Sequence, residues 1–502
     1  MEQVKIGWAK KEVSIDKPVS LAGQHHMRLS KGIHDPMYAT ALAVDGGAGQ
    51  DAVIFISCDL ISLRGIMDEV IKRACELDPT IPGDNIIMNA THTHTGGFVN
   101  PSRGETPDGR KAFPWDEYRA FYVAQAADAA VEAWQNRKPG GISYGYSYAV
   151  VGHSRRPVYF VDKGANNPAS SNGHAVMYGK TNDPEFSHYE AGADHFVNVM
   201  ITYDDKDAPT GFIINVPCPS QVSELGEEMS ADYWNEVREM VTAEFGKDVF
   251  VLPQCAAAGD LSPRILHYKE AQARRIALKY DRPYQVKNKG NVRLPDWENC
   301  CMGERYDIAE RILFAVKDVA SWAKKDIQTQ VKVDHVKTTV PLIPRLVTQA
   351  EKQHAEEVLA TRKLEIPEDA DEFTRNKLTT FHQSIINRNN RILGRFGEQD
   401  PSERIPMRMH VLRVGDIAFA TNRFEYYQDY QHRIQARSPF LQTFVIQLAG
   451  EEGGTYLPTG RAIENKGYGS SIYENRIGAE GGQQIVDETI AILNEMKAKD
   501  EK

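Results

Sequence analysis

The run Ala52-Val53-Ile54-Phe55-Ile56-Ser57-Cys58 constrains the fold most, because it is almost unbroken in apolar residues. Alternation would mark a strand with one wet face, whereas a continuous run this short marks a strand covered on both. Helical text follows from about Leu63 to Leu77, with Ile66, Val70, Ile71 and Ala74 at three-to-four spacing. Pro82-Gly83-Asp84-Asn85 breaks the chain, and Ile86-Ile87-Met88-Asn89-Ala90 reads as the next strand. Strand, helix and strand in that order point to an α/β chain.

The same text continues downstream. Residues 116–136 are alanine-rich and helical, and Val197–Tyr203 with Gly211–Val216 reads as a hairpin around Asp204-Asp205-Lys206-Asp207. Ser230–Phe245 is helical, and Val249–Leu252 is a strand that runs into a Gly-Asp turn. From about 265 to 400 the sequence turns helical and charged, as in Asp307–Lys325, Thr348–Arg362 and Glu372–Gly394. Strands return at Met407–Val414, Ile417–Ala420 and Thr443–Leu448, before a closing helix over Gln483–Lys497. The expectation is an α/β fold, mixed sheets packed with helices, in one large catalytic domain spanning 1–502 with a helical excursion at about 265–400.

Composition narrows the function. Against 59 Lys+Arg stand 69 Asp+Glu, a net charge of −10, which lacks the basic footprint a nucleic-acid binder needs. No window approaches 18 uninterrupted apolar residues, so no membrane span is expected. The start, Met1-Glu2-Gln3-Val4-Lys5, has no apolar signal region. As it stands the chain reads as cytoplasmic, or as periplasmic or secreted if a signal peptide has been removed. The six cysteines form no CxxC pair, so reduced, mostly buried thiols are expected rather than a zinc knuckle. The partner expected is a small-molecule substrate, with an oligomer left open.

Four segments carry candidate chemistry. In Asn89-Ala90-Thr91-His92-Thr93-His94-Thr95-Gly96-Gly97, two histidines two apart at a strand end project from one face, as a metal site requires. A pair of ordinary strand-end histidines is the plain alternative. Gly259-Asp260-Leu261-Ser262-Pro263-Arg264 follows a strand and opens toward a helix as an active-site loop would, although taken alone a plain turn with Asp260 or Ser262 as a helix cap is the better reading. Its context is not G-x-S-x-G, so Ser262 is not an elbow nucleophile. Glu425 in Asn422-Arg423-Phe424-Glu425 stands just past a buried strand, placed for metal ligation or base work, or simply at a helix start. The tail Gly453-Gly454-Thr455-Tyr456 and Gly467-Tyr468-Gly469 sets tyrosines in glycine-rich loops, as recognition loops or surface turns. Arg155 and Arg156, beside His153 and Ser154, form an oxyanion clamp or a solvated turn. The pair His25-His26 takes no assigned role.

Together these segments resemble the catalytic domain of the neutral/alkaline ceramidase family. The resemblance runs from about residue 5 to 490 through Gly32-Ile33-His34, Thr91-His92-Thr93-His94-Thr95-Gly96-Gly97, the Arg155 segment, Gly259-Asp260-Leu261-Ser262-Pro263, Phe424-Glu425 and the tyrosine loops. In that family one zinc, held by two histidines, a glutamate and a tyrosine, activates water for amide hydrolysis. The resemblance implies one Zn2+ per chain, with His92, Glu425 and Tyr456 as ligands. It implies His94, Arg155 and Tyr468 as groups that meet substrate or oxyanion, and Ser262 as a structural or substrate-facing residue.

Two departures stand out. The family's second histidine ligand belongs to a segment that here reads Asn215-Val216-Pro217-Cys218-Pro219-Ser220-Gln221, which leaves Cys218 as a thiolate or Gln221 as a weak ligand in its place. Typical ceramidases also carry a C-terminal β-sandwich, and this chain ends with the catalytic body. The expectation is therefore a ceramidase-like relative, a zinc-dependent hydrolase attacking the C–N bond of a more polar N-acyl compound. A carbohydrate-active enzyme on the same fold, with Glu425 and a tyrosine as acid and base, is the alternative; a non-enzymatic binding protein with a decayed site is the third.

Overall fold

The computed structural model describes the chain except residues 1, 25, 102–103, 107–108, 166–171, 282–296, 451–454 and 501–502, and except the side chains of 297–300 and 372–373. His25, Gly453 and Gly454 thus lie outside the described residues.

Among the described residues one five-stranded and two four-stranded sheets dominate. The first holds β1 (Lys5–Glu12), β2 (Tyr38–Asp45), β3 (Ala52–Cys58) and β4 (Ile86–Ala90) in the order β4-β3-β2-β1, extended by the short Lys138–Pro139 strand. The second holds β5 (Gly141–Tyr148), β6 (Phe196–Tyr203), β7 (Pro209–Val216) and β8 (Phe250–Cys255) in the order β8-β7-β6-β5. The third holds β9 (Val333–Leu342), β10 (Ile405–Val414), β11 (Ile417–Thr421) and β12 (Gln442–Ile446) in sequence order. Each sheet is antiparallel except for one parallel pair at its end: β3 with β4, β7 with β8, and β11 with β12. A parallel pair needs a crossover, and a helix supplies each one: α1 (Met67–Leu77), α3 (Tyr233–Phe245) and α8 (Gln428–Arg437), with α2 (Trp115–Gln135) adding to the first layer.

Side-chain alternation assigns each face. Along β3, Val53 and Phe55 turn toward the other sheets, while Ile54, Ile56 and Cys58 pack under α1 and α2. Along β10, Leu412 and Val414 face inward while Met407, Met409 and Val411 pack under α8 and the closing helix α9 (Ala479–Ala498). The sheets therefore share one inner core. Phe55 meets Phe419 of β11 at 5.1 Å between ring centroids, and Phe419 stacks on Phe444 of β12 at 4.6 Å. Near the carboxyl ends of the parallel pairs the core turns polar. Asn89 donates to the Pro253 carbonyl at 3.1 Å, and Asn215 to the Val445 carbonyl at 3.0 Å. These bonds tie the three strand ends to one another, and the candidate residues follow those ends.

Among its described residues the stretch read as a helical excursion contains four helices, α4 (Lys269–Lys279), α5 (Trp297–Ala323), α6 (Gln349–Thr361) and α7 (Glu372–Glu398), but also the ten-residue strand β9. That strand escapes the sequence because it is an edge strand: only Val333, Val340 and Leu342 of Val333–Leu342 are buried, so its text is charged. Among the described residues no helix is long and apolar enough to cross a membrane. Cys58, Cys75, Cys218 and Cys255 carry free thiols.

Candidate active site

His92 and His94 follow β4. His92 is buried and left-handed, with φ of +63°, a conformation that a histidine keeps only when its surroundings hold it there. Its Nδ1 lies 2.6 Å from the Ile61 carbonyl. A carbonyl can only accept, so Nδ1 carries a proton and Nε2 is the nitrogen left for the site. That Nε2 faces Glu425 Oε2 at 3.4 Å. His94 repeats the pattern: Nδ1 donates to the Gly23 carbonyl at 3.1 Å, and Nε2 is buried with no hydrogen-bond partner. Its ring lies against Gly23, where any Cβ would run into it. Burial, with the charges of His92, Arg155, Arg28 and Arg264, holds His94 well below the ordinary histidine range, so it is neutral.

Glu425 and Tyr456 belong to a two-residue parallel bridge, Glu425–Tyr426 with Tyr456–Leu457, which aligns them side by side. Burial favours a protonated Glu425, but the charges of His92 and Arg155 and hydrogen bonds from His92 and Tyr456 outweigh it and hold the carboxyl below its usual range. Arg155 is the buried cation of the site. One terminal nitrogen donates to Tyr178 Oη at 3.2 Å and Gln221 Oε1 at 3.4 Å. The other donates to the Gly259 carbonyl at 2.8 Å and Tyr456 Oη at 3.2 Å, and stands 3.6 Å from Glu425 Oε2. Gly259 has to be glycine here, since its Cβ would strike the Glu425 carbonyl.

A second layer holds these groups. Gln221 donates to Tyr178 Oη at 2.9 Å and to Glu224 Oε2 at 3.0 Å, which turns its amide oxygen toward Arg155. Glu224 pairs with Arg264 and lies 3.5 Å from His94 Nδ1. Arg28, buried, donates to the carbonyls of His94 at 2.6 Å and Glu224 at 2.8 Å. Tyr178, Glu224, Arg28 and Arg264 were not foreseen as site residues. The Gln221-x-x-Glu224 spacing hints at Glu224 and the Gly259–Arg264 segment contains Arg264, whereas Tyr178 and Arg28 meet the site through tertiary packing alone.

The sequence candidates separate accordingly. His92, His94, Arg155, Gln221, Glu425 and Tyr456 come together. Tyr468 joins them edge-on, its ring 5.5 Å from that of Tyr456. Ser262 is buried in the bridge to His153–Ser154, and its hydroxyl accepts from the Arg264 N–H at 3.2 Å, a turn role. Cys218 points the other way. Its Sγ meets the Pro219 carbonyl at 3.5 Å within the helix-facing core, its backbone carbonyl accepts from Tyr233 Oη, and burial pushes the thiol well above its normal range. Asp260 caps a helix, though not one that it begins: its carboxyl accepts from the N–H of Gln428, the first residue of α8, at 3.0 Å. Among the described residues no three His, Cys, Asp or Glu side chains converge to hold a metal; the cluster is one imidazole, one carboxylate and a phenol.

No protein-family model matches the chain, and no curated protein matches it. Its fold is similar to that of the neutral ceramidase from Pseudomonas aeruginosa, with a TM-score of 0.65 and 16% identity, covering 99% of this chain and 75% of that one. It is similar also to a ceramidase complexed with C2, with a TM-score of 0.62 and 13% identity, covering 99% of this chain and 76% of that one. The likeness read from the histidine and Gly-Asp-Leu-Ser-Pro segments therefore holds at the level of fold, which is mixed α/β.

Proposed function

We propose that this chain is a ceramidase-type hydrolase that cleaves an amide bond with one zinc held by His92, Glu425 and Tyr456. The observation that carries the reading is the contact between His92 Nε2 and Glu425 Oε2 at 3.4 Å. With one His92 proton committed to Ile61, either a second proton or a metal cation lies between Nε2 and the carboxylate, and a bound zinc would take the place of that proton. Two tetrahedral zinc ligands with bonds of about 2.0–2.1 Å lie about 3.3–3.4 Å apart, so the spacing fits. Three protein ligands with one open position is the pattern of catalytic rather than structural zinc. When bound, the zinc would supply Lewis acidity at the scissile carbonyl and lower the pKa of water.

The chain's own groups have separable tasks. With His92, Arg155 keeps Glu425 ionised, and it orients the Tyr456 hydroxyl and offers a fixed positive charge to a developing oxyanion. Neutral His94 has a free lone pair at Nε2, so it can take a proton there from the attacking water and release it to the departing amine. Water adds to the carbonyl, the C–N bond breaks, and a carboxylic acid and an amine leave. Gln221 acts by holding Arg155, which supports an indirect role for it instead of ligation.

Elemental analysis of the wild type beside His92→Ala, with N-acyl amide turnover measured on both, tests this. Near-stoichiometric zinc and amine release in the wild type, both lost in the variant, are expected. A wild type that holds no metal after zinc is supplied, or that releases amine while metal-free, refutes the zinc assignment. A second reading, glycoside hydrolysis, draws on Glu474. Burial raises this carboxyl, helped by the negative charge of Glu425, although Arg388 opposes the shift; the two carboxyls are thus pushed in opposite directions, as an acid and base pair requires. Turnover of glycosides but not amides would favour it.

A further inference from the structure

Beside the reaction centre lies a cavity of about 1200 Å³ between the α6–α7 hairpin and the loop that carries Tyr468. Tyr468 lines the cavity and meets Tyr456 ring to ring, so a molecule seated there reaches the proposed catalytic groups. To its wall α7 contributes the apolar Phe381, Ile385 and Ile392 beside Arg388 and Asn389. The cations around it are mostly spoken for. Arg345 pairs with Glu351 at 3.0 Å, Arg388 with Glu474 at 3.2 Å, and Lys466 approaches Asp162 at 4.0 Å.

Arg362 differs. It caps the carboxyl end of α6 and lies over the Phe381 ring, 6.0 Å from its centroid. Its Nε is buried without a hydrogen-bond acceptor, and no carboxylate among the described residues pairs with it. Glu357 lines the cavity from the same helix, but it is exposed to solvent and makes no ion pair with Arg362. A buried guanidinium nitrogen without an acceptor is costly unless a ligand completes it. One unmatched positive charge beside an apolar wall suits a monoanionic amphiphile, whereas a phosphate dianion would need a second free cation.

We propose that this cavity is the recognition pocket for the substrate and takes a carboxylate-bearing amide, with Arg362 as its counter-charge and Phe381, Ile385 and Ile392 against its apolar part. The assignment rests on the amide-hydrolase reading for the fate of the molecule, but not for its binding. The helical hairpin then serves as the specificity element, and this accounts for a substrate more polar at one end than the family resemblance alone implies.

The test is isothermal calorimetry with N-octanoylglycine and its neutral counterpart N-octanoylglycinamide, on the wild type, Arg362→Gln and Arg362→Lys, with glycine or glycinamide release followed in the same samples. The wild type should bind the acid about tenfold or more tightly than the neutral amide, as one charge-assisted contact allows. Arg362→Gln should erase that preference and Arg362→Lys retain part of it. Unchanged affinity for the neutral probe in both variants would show that the pocket remains folded. Equal affinities in the wild type, no binding of either probe, or an undiminished preference in Arg362→Gln overturns the proposal. Acid preference without amine release keeps the pocket and sinks the hydrolase reading; amine release without acid preference does the reverse.

Discussion

Replacing Arg155 by methionine probes the centre of the site. The guanidinium has four hydrogen-bond acceptors, Tyr178, Gln221, Gly259 and Tyr456, besides its contact with Glu425. The Glu425 side chain is 15% exposed, so its charge would lose a buried counter-charge that water replaces poorly. Breaking one side of such a pair costs about 3–5 kcal/mol. For a chain of this length the unfolding entropy is about 1 kcal/mol per kelvin, so the melting temperature should fall by about 3–5 °C. The penalty also depends on pH. Glu425 is held low in the native protein, so its contribution exists above the unfolded-state value and is lost as pH falls through the lower native one. Without Arg155 the native value rises, so Glu425 can take up a proton in mildly acid solution, and the penalty should be larger at pH 8 than at pH 5. Scanning calorimetry on the wild type, Arg155→Met, Glu425→Gln and the double variant closes the cycle. An Arg155→Met penalty that is the same in the Glu425→Gln background would refute the pairing.

Three further outcomes follow from the same contacts. Burial pushes Asp260 up to about 7, so between the unfolded value near 4 and about 7 the unfolded chain releases a proton that the native protein keeps, and stability falls with rising pH. Asp260→Asn, which cannot ionise, should gain in denaturant midpoint relative to the wild type, more at pH 8 than at pH 5; a pH-independent difference would count against the buried carboxyl. Gly259→Ala forces a Cβ onto the Glu425 carbonyl and should abolish amide turnover even where circular dichroism shows a folded protein, whereas full activity would mean that the two loops do not meet. Cys218→Ser should leave zinc content unchanged, and the native thiol should resist thiol reagents until the protein is unfolded; loss of zinc would make it a ligand after all.

The order of strands and helices was legible because burial on both faces writes itself into the sequence as an unbroken apolar run. Ala52–Cys58 and Ile86–Ala90 are strands at the expected places, and the carboxyl ends of such strands carry His92, His94 and Glu425. The edge strand β9 left no such record, because most of its side chains are not buried. Whether Cys218 or Gln221 turns toward the site was equally hidden. Three residues apart in an irregular segment, they point to opposite environments, one into the helix-facing core and the other onto Arg155. The partners that define the protonation and placement of each group, Ile61 for His92, Gly23 for His94, Tyr178 for Arg155 and Glu224 for Gln221, come from separate loops. Residue chemistry and periodicity are local, so the sequence by itself determined which groups are present and which strands deliver them. Which lone pair is free, which charge is unmatched and which two atoms face each other depend on segments hundreds of residues apart, and only the packing of three sheets against one another decided them.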